Sequence, residues 1–338
     1  MSAEPVRPGA PPVFSIVISV KNRSGMLLDC MRGLASQSLG LDRFEAVLVD
    51  NCSAEDLSPV VAKAQEMGLN IRMVRTAVDN GPAPARNLGV SLARGDIIAF
   101  TDSDCRPTPD WLASALPHFS DPGVAIVSGP VLPKPEQKVE FTTRLTFITA
   151  GEHPSFPTAN LCVRRSVFNE FGGFNPALCF KDPFDRATEC ADTDLAWRVI
   201  KAGHGKRFEP RALMHHELEK LSLLLWIVET SRLFVLPELV RLHPELRKPL
   251  LTWGLLFCPP AATLYLAVPF AIAATWWQPW LLLLLPALLV LRGVQQTRSF
   301  NPVRLAVFAG HTLAHVPRLL IMNATLIYGS IRFRCLVL

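Results

Sequence analysis

The sequence predicts an α/β domain over the first two thirds of the chain and an apolar helical membrane anchor over the last third. Three observations carry this expectation. Short β-branched runs alternate with helical stretches from Phe14 to Phe100, each run ends in polar residues, and Leu251 to Leu291 holds no charged residue.

Phe14–Val20 (FSIVISV) suits a buried strand, and Ser24 is placed to cap a helix with Leu27, Met31 and Leu34 on one face. The alternation continues with Phe44 to Val49 as strand, about Ala54 to Met67 as helix, Ile71 to Val74 as strand, Pro84 to Ala93 as helix and Ile97 to Phe100 as strand. Such alternation predicts a parallel, doubly wound sheet. Ligands of these sheets sit at the carboxyl ends of the strands. The residues there are polar: Lys21, Asn22 and Arg23 after the first strand, Asp50, Asn51 and Cys52 after the second, Asp102, Ser103 and Asp104 after the fourth.

Leucines and aromatics at helical spacing over Lys220 to Val240, with Glu229, Arg232 and Glu238 between them, fit a helix lying on a membrane surface or an ordinary core helix. Two spans are expected near Leu251 to Ala274 and Trp276 to Leu291, turning at Gln278 and Pro279, with Trp276, Trp277 and Trp280 at one interface. Arg247 and Lys248 precede this hairpin, and Arg292, Arg298 and Arg304 follow it. The positive-inside rule then places both ends in the cytoplasm of an inner membrane. His311, His315 and Arg318 interrupt Leu305 to Ile331, which favours an interfacial amphipathic tail over a third span. The expected divisions are 1–12 disordered, 13–219 the α/β domain, 220–248 an interfacial linker, 249–293 two spans and 294–338 a basic tail.

The net charge of +5 is unevenly placed. No acid follows Glu245, whereas eight of the 34 basic residues do, leaving 26 against 29 acids, a net −3, before that point. A basic tail beside apolar spans reads as attraction to anionic lipid, and no aromatic-laced basic patch points to nucleic acid. The eight cysteines show no metal-ligand spacing and read as reduced thiols. The Pro-rich start, MSAEPVRPGAPP, lacks the apolar core of a signal peptide, so the first domain is expected in the cytosol.

Asp102-Ser103-Asp104 at a strand end suits a hard cation, Mg²⁺ or Mn²⁺, that also bridges phosphate oxygens. Asp50 is open to a second reading, since Asp-Asn after a strand is good turn chemistry. Arg86 opens a helix, where a cation and a helix N-terminus favour diphosphate, or it is a surface arginine pairing with Asp79. Asp192 and Asp194 equally suit the first turn of the helix that runs on to Lys201.

The series VISVKNR, LVDN, ARNLGVSLARGDIIAFTDSD, ANLCVRRSVFNEFGGFN and ADTDLAWRV resembles the family 2 inverting glycosyltransferases of the GT-A fold, from about Phe14 to His216. The resemblance implies a Rossmann-like mixed sheet flanked by helices and a nucleotide-sugar donor, with UDP-sugars favoured. It implies donor binding by Lys21, Asn22, Asp50, Arg86, Asp102, Ser103 and Asp104, metal ligation by Asp104 with Asp102 and, from the pair His215-His216 that matches the family's histidine, His215, and Asp192 as general base. It places Asn160, Gly172, Gly173, Asp194 and Arg198 on the acceptor side, the Gly pair letting backbone pass close to substrate. The departure is Ala191, where the family usually has Glu and for which Glu189 is a candidate substitute. An inverting transfer needs one carboxylate to take the acceptor's proton and none as nucleophile.

With the site tethered to a bilayer, the expected acceptor is lipid-linked or a surface glycan, and single-sugar addition is favoured over a secreted polymer. Two rivals are weighed. A haloacid-dehalogenase-like phosphatase also carries DxD after a strand, but Cys105 and Arg106 follow here and the other motifs go unexplained. A non-catalytic donor-binding scaffold on the membrane is motivated by Ala191.

Overall fold

The computed structural model describes residues 11–145 and 148–338, with backbone alone for several positions between 259 and 297. The chain forms two units, Met1–Phe180 with Glu189–Lys220, and Lys181–Thr188 with Leu221–Leu338. The expected disorder of 1–12 falls almost wholly outside the described residues.

In the first unit the apolar runs become strands β1 (Phe14–Val20), β2 (Phe44–Asp50), β3 (Ile71–Arg75) and β4 (Ile97–Asp102), all parallel. Every residue of β2 is buried and only Ser19 of β1 is partly open, as central strands covered on both faces require. Helices α1 (Ser24–Ala35), α2 (Ser58–Glu66) and α3 (Pro82–Ser91) connect them. A Cβ on Gly89 would come within 2.5 Å of Val17 Cγ1 and 3.1 Å of Val49 Cγ2, so the missing side chain is what lets α3 lie this close to β1 and β2.

Two local expectations change. Ser24 does not cap α1; the preceding residue, Arg23, is left-handed, and the Ser24 N–H donates to the Glu55 carboxylate at 3.1 Å. Helix α2 starts four residues late because side chains compete for its backbone. Asp50 Oδ1 takes the Ser53 N–H at 2.9 Å, Asn22 Oδ1 that of Ala54 at 2.8 Å, and Asp56 Oδ1 that of Ser58 at 2.9 Å.

Beyond β4 the alternation ends. The chain continues through β5 (Cys105–Pro107), α4 (Trp111–Ala115), β6 (Val124–Ser128), β7 (Val131–Pro133), β8 (Leu161–Arg164), α5 (Arg165–Glu170), β9 (Cys179–Lys181), β10 (Ala187–Glu189), α6 (Ala191–Lys201), β11 (Gly205–Phe208) and β12 (Met214–His216). The main sheet has order β11-β6-β8-β4-β1-β2-β3, with β8 antiparallel to both β4 and β6. The sheet is therefore mixed, parallel only in the half that the alternation covers and across β6–β11. A small sheet, β5-β12-β7, flanks it. Phe100, Phe168 and Phe174 pack beneath β4 with centroids 5.0 to 5.6 Å apart.

The second unit is helical: α7 (Leu223–Val228), a 3₁₀ segment Glu229–Val235, α8 (Leu236–Leu242), α9 (Arg247–Leu250), α10 (Pro259–Trp277), α11 (Leu284–Thr297) and α12 (Pro302–Phe333). The single helix expected over 220–240 is thus three pieces, the first capped by Ser222 Oγ on the Leu225 N–H. Gln278 and Pro279 do mark the turn between α10 and the next helical stretch.

Among the described residues two stretches are long and apolar enough to cross a membrane, Pro279–Gln296 and Pro302–Phe333. The second is the segment read from the sequence as interfacial. It is one unbroken helix, opened by Asn301 capping the Val303 and Arg304 N–H groups. The charges that argued against a span turn onto the same unit: Arg318 lies 3.4 Å from Glu229 Oε2 and 4.6 Å from the Trp226 ring centroid, and His315 stacks edge-on against Trp226 at 4.8 Å.

Candidate active site

Strand register brings the polar strand ends level. Val20 pairs with Asp50, Ser19 with Asp102 and Asp50 with Arg75, so the loops after β1, β2, β3 and β4 share one edge of the sheet. Across the first three of these loops a continuous hydrogen-bond network runs. Lys21 Nζ donates to Asp79 Oδ2 at 2.5 Å, Asn51 Nδ2 to Asp79 Oδ1 at 2.6 Å, and the Asn22 N–H to Ser53 Oγ at 2.8 Å. Asn22 and Arg23 both have positive φ, 60° and 70°, a strained pair held by these bonds. Asp50 is buried, and Arg75 Nη1 lies 3.3 Å from its second oxygen. Its turn role is realised, and the carboxylate sits on the floor of the loop cluster.

Asp102 ends β4, and the buried Ser103 and Asp104 make the tight turn into β5. Arg23 pairs with Asp104 Oδ2. Asp104 Oδ1 is buried with no hydrogen-bond partner. His216 Nε2 stands 3.5 Å from that oxygen, while His216 Nδ1 donates to the Glu217 carbonyl at 2.7 Å. In the neutral ring that bond leaves Nε2 with a lone pair facing a carboxylate oxygen, two acceptors side by side. A cation satisfies both.

Asp102, Asp104, Cys105 and His216 each offer a ligand atom, all within 4.8 Å of one another. Two carboxylates and an imidazole fit Mn²⁺ or Mg²⁺. Burial pushes the Cys105 thiol well up, keeping it protonated and a poor ligand.

The histidine is a correction. Strand alternation turns His215 the other way, where Nδ1 donates to the Pro133 carbonyl at 3.0 Å, and His216 occupies the place expected of it. The period of two within β12 could have separated them, had the register of β12 against β5 been known.

Arg86 does not pair with Asp79. It is buried on α3, donating from Nη2 to Asp102 Oδ1 at 2.8 Å and from Nη1 to Glu189 Oε1 at 2.6 Å. Burial alone would lower its pKa, but Glu189 and Asp102 outweigh this and raise it, so the bridge stays cationic. Its Nε–H is buried without a partner.

Asp192 lies in the first turn of α6 and is partly buried. The Thr193 N–H donates to Oδ1 at 2.7 Å and the Thr158 N–H to Oδ2 at 3.4 Å. Burial, then the charge of Glu189, pushes its carboxyl up to about 7. Ala191 beside it is buried and brings no polar group.

The residues expected on the acceptor side are spent on the fold. Asn160 accepts from Trp111 Nε1 at 2.8 Å and donates to the Pro130 and Ala212 carbonyls at 3.0 and 2.7 Å, which uses both its N–H groups. Arg198 joins Asp194 at 2.9 Å to the Phe171 and Gly173 carbonyls at 2.5 and 2.8 Å. Gly172 and Gly173 have φ of 71° and 70° and form the turn these bonds clamp; a Cβ on Gly173 would meet Asn87 Oδ1 and Phe168 at 2.8 Å.

Comparison with known proteins bears on the sequence and the fold. A pre-mycofactocin glycosyltransferase of Mycobacterium tuberculosis is 30% identical over 258 residues, 71% of this chain and 50% of the relative. The glycosyltransferase AglE of Haloferax volcanii is 28% identical over 178 residues, 48% of this chain and 56% of the relative. The chain thus spans about half the length of these curated relatives.

Among solved structures, a mannosyltransferase from Pyrobaculum calidifontis in complex with GDP-Man and Mn²⁺ has a TM-score of 0.58 at 19% identity, covering 97% of this chain and 88% of its own. Staphylococcus aureus TarS 1-349 with UDP-GlcNAc scores 0.50 at 16% identity, covering 69% and 72%. These likenesses establish the GT-A fold. The family described as Glycosyl transferase family 2 matches residues 15–181, from β1 through Asp50, Arg86, Asp102 and Asp104. On fold, motif order and sequence together, residues 15–181 carry a domain of glycosyl transferase family 2.

Proposed function

We propose that this chain is an inverting glycosyltransferase that takes a sugar from a nucleotide-diphosphate sugar, UDP-sugars being favoured, and passes it to a lipid-linked or membrane-proximal glycan. The observation that carries the reading is the Arg86 bridge. One buried guanidinium ties Asp102, at the DxD turn, to Glu189, three residues before Asp192. The donor end and the proton-accepting end are thereby held in one arrangement.

In this reading Asp50 and the loops carrying Lys21 and Asn22 hold the nucleoside, and Arg86 fixes Asp102. Asp192 accepts the acceptor hydroxyl's proton as that oxygen bonds to the anomeric carbon and the bond to the diphosphate breaks. Asp104, Asp102 and His216 would hold a divalent cation, which supplies positive charge to the departing diphosphate. The P. calidifontis structure contains Mn²⁺ and a GDP-sugar, and the TarS structure a UDP-sugar, which supports a donor of this class.

The anchor is proposed as α11 and α12 with α10 before them, with Arg247 and Lys248 on the cytoplasmic side. The test is a screen of UDP-, GDP- and dTDP-sugars with Mn²⁺ and membrane extract, read as released nucleoside diphosphate. Turnover with one donor supports the reading. Nucleotide binding without turnover of any donor would favour the scaffold.

A further inference from the structure

Glu189 lies three residues before Asp192, and its side chain is pinned from both sides. Oε1 accepts from Arg86 at 2.6 Å and Oε2 from Cys179 Sγ at 3.7 Å. Burial, then the Glu189 charge, pushes the Cys179 thiol up to about 11, so it stays a donor. Arg86 already has a carboxylate partner in Asp102, with side chains 7% and 27% exposed, so a second one is not needed to neutralise it. Two carboxylates on one guanidinium leave a net negative charge, and the Glu189 charge is felt at Asp192, the first-turn acid of α6 three residues on.

The other charged groups around Asp192 do not offset it. Asp194, on the same helix, is paired with Arg198 at 2.9 Å. The segment that packs on α6 through Thr158 and Ser155 carries His153, which burial holds toward its neutral form while Nδ1 bonds Ser155 Oγ at 2.7 Å. Among the described residues Arg86 is the cation whose charge is felt at Asp192, and Glu189 stands on it.

We propose that Glu189 is a positioning residue for transfer: it fixes the Arg86 guanidinium against Asp102 and keeps a negative charge beside Asp192, coupling the donor end of the cleft to the base. Removing that charge makes Asp192 easier to ionise, and Arg86, left with Asp102 alone, loses its fixed orientation. This rests on the reading of Asp192 as base, and the experiment separates the two ideas.

The full chain, labelled with ¹³C at aspartate carboxyls and held in detergent micelles, is titrated from pH 4 to 9 by NMR. The Asp192 resonance is the one missing from Asp192→Asn. The expected wild-type midpoint is near 7. Glu189→Gln should lower it by roughly one pH unit, and Glu189→Asp, which keeps the charge, should stay nearer the wild type. The pH dependence of kcat/KM should move with the same variants, and KM for the donor should rise several-fold in Glu189→Gln.

A Glu189→Gln midpoint equal to wild type, with only the melting temperature lowered, overturns the proposal and leaves Glu189 a packing residue. A midpoint that moves as expected in a chain that turns over no donor supports the coupling and removes the transferase reading instead.

Discussion

Burial and the Glu189 charge give Asp192 a carboxyl that ionises near pH 7, and the two consequences have opposite signs. For the proposed transfer, Asp192 must be ionised to act as base, so kcat/KM should climb with pH up to about 7 and then level, and Asp192→Asn should cost roughly 10²- to 10⁴-fold. For stability, the folded pKa lies above the unfolded value of 3.8, so this carboxyl costs nothing below about pH 4 and destabilises progressively as pH rises through 7. At about 1.4 kcal/mol per unit the penalty is on the order of 2 to 4 kcal/mol, toward the lower figure because the group keeps some contact with water. Asp192→Asn should therefore flatten the loss of stability between pH 4 and 7 in urea melts while lowering turnover by that factor, the pattern of a group kept for chemistry. Asn160 is the converse case. Asn160→Ala strands Trp111 Nε1 and the Pro130 and Ala212 carbonyls, and should cost about 2 to 4 kcal/mol of stability with the donor KM within twofold of wild type.

Among the elements, those with a clear period were legible and those set by long-range pairing were not. β1 to β4 could be read because each is a short apolar run that ends in charge, and the DxD turn follows directly from the last of them. β8 could not, because four residues between two antiparallel neighbours carry no alternation of their own. The late start of α2 and the uncapped start of α1 depend on Asp50, Asn22 and Glu55 reaching across loops, which local propensity does not contain. The choice of His216 over His215 is likewise a matter of register. In α12 the charges at 315 and 318 looked like interruptions because their partners, Trp226 and Glu229, lie about 90 positions away in sequence. The same helix carries a test of its packing. A Cβ on Gly329 would stand 2.2 Å from the Phe234 carbonyl oxygen, so Gly329→Ala should destabilise the helical unit by about 1 to 3 kcal/mol, read as a lower melting temperature in detergent.

At the scale of the whole molecule, a mildly acidic stretch up to Glu245 is followed by a basic, acid-free stretch of long apolar helices. That division predicts that the full chain stays in the membrane pellet after an alkaline carbonate wash and leaves it with detergent. Release by carbonate alone would contradict an anchor built from α11 and α12. The account's central claim is that the acids of the DxD turn grip a donor's diphosphate through a cation while Asp192 handles the acceptor's proton. Calorimetric titration of UDP, GDP and dTDP, with and without Mn²⁺, onto the full chain and two variants tests it most directly. The account predicts Mn²⁺-dependent binding of one nucleotide by the wild type, at least tenfold weaker binding by Asp104→Ala, and binding retained by Asp192→Asn. Binding that is indifferent to Mn²⁺ and unchanged in Asp104→Ala would contradict it.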